Sequence, residues 1–154
     1  MLVVSRKFTK SLAMLPPPIH KAVNFFTNHP NRLFLLDGIG AILSAILLFI
    51  LHFFFQVTTG LPQLIVYSLI AAAIFLAAYS LACSWLMKRY PARYLHGIAY
   101  LNGIYLLIVL MLLVQYYSRL HPFLFICFLL ESLVLGCLIC LEFTVAKRLG
   151  VQKE

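Results

Sequence analysis

Two carboxylic acids sit in the middle of oil. Glu131 and Glu142 interrupt the apolar stretch HPFLFICFLLESLVLGCLICLEFTVAKR, residues 121–148, and lie eleven residues apart. At about 100° per residue that interval is three helical turns, so both side chains project from one helical face, about 16 Å apart along the axis. A carboxyl group inside an apolar span is costly, and where one is kept it marks by default a ligand, proton or ion site. Ser132, Gly136 and Cys140 form a neighbouring small-residue ridge at i, i+4 and i+8, where a second helix can approach closely. A third acid, Asp37, opens the earlier stretch LDGIGAILSA, which carries Ser44 two turns further on. Tyr79, Asn102 and Tyr105 complete the set of polar groups with a candidate ligand- or proton-binding role.

The surroundings of these residues identify the solvent. Hydrophobic residues make up 64% of the 154 and charged residues 10%, and the mean hydropathy is +1.01. A soluble domain is about 45–50% apolar, so this chain is too poor in polar side chains to cover itself in water. It reads as a single membrane-embedded domain. The net charge of +8 does not point to nucleic acid, because the cations cluster at the ends of apolar spans. Four cysteines, Cys83, Cys127, Cys137 and Cys140, all fall inside spans and argue against a disulfide framework.

Four spans are expected, over residues 33–55, 64–87, 94–117 and 123–146, each long enough to cross about 30 Å of hydrocarbon. Residues 1–32 form a basic arm. After Pro16–Pro17–Pro18, the apolar residues Ile19, Ala22, Val23 and Phe26 oppose His20, Lys21, Asn24 and Thr27, the pattern of a short helix lying on a membrane surface and ended by Pro30. Residues 33–148 form the transmembrane domain and 149–154 a tail. Lysine and arginine number five in the arm, three between the second and third spans and three after the fourth span, but none between the first and second spans and only Arg119 between the third and fourth. This places both termini in the cytoplasm. The fold class is therefore all-α: an up-down-up-down four-helix bundle with an amphipathic N-terminal arm.

At about 1.5 Å per residue, Asp37, Cys83 and Glu142 share a depth of about 6 Å from the cytoplasmic face. Ser80, Tyr79 and Asn102 follow at about 10–12 Å, Ser44 and Tyr105 at about 16 Å and Glu131 at about 22 Å. Asp37, Ala41 and Ser44 share one face of their helix, and Asn102 and Tyr105 share another. Lipid cannot hydrogen-bond these groups, so they are expected to face one another inside the bundle. Simpler readings stand beside this one. Asp37 interacts with its own helix N-terminus and with Arg32 or Lys147, and Glu142 pairs with an interfacial cation. Asn102 and Tyr105 act as interhelical glue, and Tyr79 is a packed aromatic. Glu131 lies beyond the reach of any cation on its own helix. It is either a neutral, hydrogen-bonded acid or lines a wet cavity.

Other chemistry finds little support. Cys137 and Cys140 make a C-x-x-C, a motif shared with quinone-linked thiol oxidases of the vitamin K epoxide reductase type. Relay cysteines in the outer loops are missing, and thiol exchange needs accessible thiolates. The five histidines are scattered, so neither a haem nor a zinc set is legible, and no cofactor, metal or catalytic group is expected.

The order Leu36-Asp37-Gly38-Ile39-Gly40-Ala41 with Ser44, then Gly60 and Pro62, Tyr79-Ser80 and Cys83, Asn102 with Tyr105, Glu131 and Glu142 resembles a group of small bacterial four-helix inner-membrane proteins. The likeness covers about residues 33–148. It implies a multi-pass protein of the bacterial cytoplasmic membrane and carries no activity. Two functions fit the residues: a non-catalytic membrane subunit or small-ligand-binding bundle, and a proton-coupled small-molecule transporter working as an oligomer. Expected partners are membrane lipids, with anionic headgroups at the basic arm, and a second copy or another membrane protein.

Overall fold

Proline sets where the helices begin. The structure, a computed structural model, describes residues 17–53, 61–86 and 91–151. They form α1 (Pro17–Asn28), α2 (Pro30–Phe53), α3 (Gln63–Leu86), α4 (Pro91–Tyr116) and α5 (Pro122–Val151). Pro30, Pro91 and Pro122 each hold the first position of their helix, where the missing N–H would have had no partner and the fixed φ suits the first turn. Pro62 does similar work for α3 by accepting from the Ile65 N–H at 2.9 Å. At the start of α5, the His121 carbonyl accepts from Phe125 N at 3.0 Å.

Helices α2 to α5 are each long and apolar enough to cross a membrane, which fits an integral, multi-pass membrane protein. Three boundaries shift by three residues or more from the sequence expectation, among them the start of α4, at Pro91 and not residue 94. The first span begins at Pro30, because proline favours a helix start and only His29 separates α1 from α2. The last helix runs on past Ala146 to Val151, and its Arg148 guanidinium donates to Asn24 Oδ1 on α1.

The helices associate in pairs. α2 packs along α3 and α4 along α5, with far less contact between the two pairs. In the first pair, the Ser80 hydroxyl donates to the Phe34 carbonyl at 2.7 Å, while His52 stacks edge-on against Tyr67. In the second, Tyr100 meets Phe143, and Gly136 faces Leu106. Lipid gives helices no hydrophobic reason to associate, so closeness of backbones and interhelical hydrogen bonds must hold such pairs together. Gly38 supplies the closeness. A Cβ there would sit 2.9 Å from Leu81 Cγ and 3.5 Å from the Ala77 carbonyl oxygen. By contrast, a Cβ on Gly40 would meet nothing within 4 Å.

Buried apolar residues gather into two clusters. One holds Leu48, Leu51, Leu76, Tyr105, Val109, Leu113 and Phe128. The other holds Val23, Leu33, Phe34, Cys83, Leu95, Ile98, Val145 and Ala146, so residues from α1 to α5 all meet in it. The α1 helix is amphipathic as its sequence indicates, but its apolar side does not simply rest on lipid. Val23 is 1% exposed, packed into the end of the bundle. Phe26 leans on the same cluster, and Phe25 takes Arg32 over its ring at 5.1 Å.

Candidate functional site

Between the two apolar clusters lies a polar layer. Asp37 from α2, Ser80 from α3, Asn102 from α4 and Glu142 from α5 are all almost fully buried, so every spanning helix contributes one member. Asn102 Nδ2 donates to Asp37 Oδ1 at 2.7 Å and to Glu142 Oε2 at 3.4 Å. A side-chain amide has two N–H groups, and flanking carboxyls are pure acceptors when ionised, which dictates that the nitrogen faces them. One amide thereby ties together acids from two other helices. Tyr79 stands apart from this group. Its ring packs on the apolar cluster that contains Cys83, and its hydroxyl lies 3.4 Å from where a Gly97 Cβ would be.

Of the cations named for Asp37, Lys147 is exposed on α5 and Arg32 is engaged elsewhere. Arg32 covers the Phe25 ring, and Arg148 binds Asn24. The simpler readings of both acids as interfacial ion pairs therefore give way to the shared Asn102 amide. Cys137 and Cys140 are exposed on the flank of α5 with free thiols, away from the polar layer.

A cleft of about 410 Å³ starts at this layer and runs between α2 and α5, which touch each other far less than the members of either helix pair do. Asp37, Gly40, Ala41 and Ser44 line one side of it, Asn102 and Tyr105 the back, and Cys127, Glu131 and Leu138 the other side. Glu131 lies beside Ser44 and near Tyr105. The volume falls within the roughly 300–1,000 Å³ of small-molecule sites, and the wall has the usual character of apolar lining with a few polar groups. Two of those groups are unsatisfied. Asp37 Oδ2 and the Tyr105 hydroxyl are buried without a hydrogen-bond partner, whereas buried polar atoms are normally paired. The mouth is flanked by Leu43, Leu47, Leu130 and Val134, all strongly exposed on the outer face of the helices.

No protein-family model matches the chain, and comparison with curated proteins and with solved structures likewise finds no match. The chemistry of the cleft is thus the ground for any functional reading. Of the residues singled out from the sequence, Asp37, Ser44, Asn102, Tyr105 and Glu131 come together on its wall, Glu142 stands behind it through Asn102, and Tyr79 is outside. Ser80 was expected to face inward but was not among the ligand- or proton-binding candidates, and Gly38 was not singled out. Ser80 had a usable signal, since its depth equals that of Asn102. Gly38 had none that distinguished it from Gly40 two residues away. His52 also lies outside the cleft, its ring against Tyr67 and its Nδ1 unpartnered.

Proposed function

We propose that this protein is a non-catalytic membrane bundle that binds a small amphiphilic molecule from within the bilayer. The observation that carries this reading is the side cleft between α2 and α5, with exposed leucines and a valine at its mouth and two unpartnered buried polar atoms on its wall. A polar atom that is buried without a partner costs about 1–3 kcal/mol, which the side chain would recover by turning into the cleft onto a bound ligand. Entry from the side suits a molecule that already partitions into lipid.

The rest of the reading concerns placement. The helices are taken to run up-down-up-down, supported by the way early α2 meets late α3 (Phe34 with Ser80) and late α2 meets early α3 (His52 with Tyr67). Both termini are assigned to the cytoplasm on the lysine and arginine asymmetry, and the membrane to the bacterial inner membrane on the family resemblance. Residues 1–16 lie outside the described residues; their lysine and arginine content suits anionic headgroups.

Native mass spectrometry of the detergent-purified protein tests the binding reading. Wild type is expected to carry small-molecule adducts that are depleted in Gly40→Trp, whose side chain would grow into the cleft from a position with open space around it. Adducts retained equally in both proteins would contradict the reading.

A further inference from the structure

The cleft is not neutral toward its occupant. Asp37 and Tyr105 are 3% and 6% exposed, yet Asp37 Oδ2 and the Tyr105 hydroxyl have no partner. Glu131 stands on the same wall, and Glu142 stands behind it on the far side of Asn102. The partners these acids do have are uncharged: Asn102 for Asp37 and Glu142, and Ser44 for Glu131. Among the described residues, no lysine or arginine lines the cleft. What the lining residues offer is therefore carboxyl oxygen without a counter-cation, beside a Tyr105 hydroxyl that can donate or accept. In a low-dielectric site the group that answers such oxygens best is a positively charged N–H donor, because charge-assisted hydrogen bonds are about twice as strong as neutral ones. An anion would meet carboxyl groups on both sides. At the mouth, Leu43, Leu47, Leu130 and Val134 offer only hydrocarbon, which calls for an apolar tail on the same molecule.

We propose that the cleft selects amphiphilic primary amines, with the ammonium head held in the acid-lined stretch between Asp37 and Glu131 and the tail passing out between Leu43 and Val134. This rests on the reading of the cleft as a ligand site and adds the class of ligand. The head is either that of a free alkylamine or the ethanolamine group of a phospholipid, since both present the same ammonium.

Full-length protein in phosphatidylcholine nanodiscs, titrated calorimetrically with dodecylamine, dodecyltrimethylammonium, dodecanol and dodecanoate, provides the test. Empty nanodiscs give the partitioning background to be subtracted. A saturable component is expected for dodecylamine, with binding about tenfold weaker for the trimethylammonium, which keeps the charge and loses the N–H groups. None is expected for dodecanoate. Glu131→Gln and Asp37→Asn are each expected to weaken dodecylamine about tenfold while circular dichroism remains that of wild type. Should Asp37→Asn not fold, Glu131→Gln and the ligand series on wild type still decide. Competition by phosphatidylethanolamine in the nanodisc assigns the head to a lipid, and its absence to a free amine; both outcomes support the amine class. Saturable binding of dodecanol or dodecanoate as tight as that of dodecylamine, and abolished by Leu43→Trp, would overturn the amine class and leave the cleft a ligand site. No saturable binding of any probe, with Leu43→Trp identical to wild type, would overturn both.

Discussion

Replacing Asn102 by leucine removes a single amide and disconnects three helices. The two side chains are similar in size, so packing changes little and the loss is of hydrogen bonds. Asn102 makes one short bond, 2.7 Å to Asp37 Oδ1, and one long bond, 3.4 Å to Glu142 Oε2. Bonds to charged groups in proteins contribute about 1.5–3 kcal/mol, but interhelical bonds in membranes average only about 0.6 and reach about 1.7, because the helices find other partners when they separate. The short bond belongs at the upper end of the membrane range, about 1.5 kcal/mol, and the long bond near the bottom, about 0.5, so Asn102→Leu should cost about 2 kcal/mol. Unfolding in mixed micelles by titration with dodecyl sulfate, followed by far-ultraviolet circular dichroism, measures it. The same substitution made in an Asp37→Leu, Glu142→Leu background should cost almost nothing, because the acids that needed the amide are gone and an apolar replacement of a whole buried polar set is often neutral. An equal cost in the two backgrounds, or a loss below about 0.5 kcal/mol in the wild-type background, would refute the claim that Asn102 holds both acids.

Three further outcomes follow from the packing. Gly38→Ala should destabilise by about 1–2 kcal/mol, because the new methyl would press on Leu81, whereas Gly40→Ala should change stability by less than about 0.5 kcal/mol; the same dodecyl sulfate titration compares them. Ser80→Ala should cost about 1 kcal/mol by freeing the Phe34 carbonyl from its 2.7 Å bond, read from the shift in the unfolding midpoint. Val23→Lys should release α1 from the end of the bundle, so that hydrogen exchange speeds up across residues 21–28 while α2 to α5 keep their protection; unchanged exchange there would show that Val23 does not anchor the helix.

The sequence carried the spans well because the bilayer enforces them. A helix must satisfy its own backbone in lipid, and four apolar runs separated by proline and basic residues leave few alternatives. Depth counting served the polar residues in part, putting Asn102 about 4–6 Å deeper than the acids it bonds. Asp37 and Glu142 were placed level with each other, and the same Asn102 amide bonds both. Two things were harder to read. Periodicity says which residues share a face but not which neighbouring helix that face meets, so the split into two helix pairs, and the cleft left between α2 and α5, came only with the structure. Glycine positions were ambiguous for a related reason. Gly38 and Gly40 are equally small, and only the approach of Leu81 makes one of them indispensable. Arm residue Val23 was legible as apolar, but whether it faced lipid or protein depended on an open bundle end that no local pattern records.

Whether carboxyls from separate helices turn inward onto one amide can be measured without any ligand. Protein in lipid bilayers, labelled with carbon-13 at aspartate and glutamate carboxyls and nitrogen-15 at the asparagine side chain, is suited to rotational-echo dephasing by solid-state NMR, with Asn102→Leu as the blank. The expected result is dephasing of the Asp37 and Glu142 carboxyl signals that disappears in the blank, with the short Asp37 contact dephasing faster. Carboxyl signals of Asp37 and Glu142 that ignore the Asn102 nitrogen would mean that the acids lie elsewhere, and the polar layer would not exist.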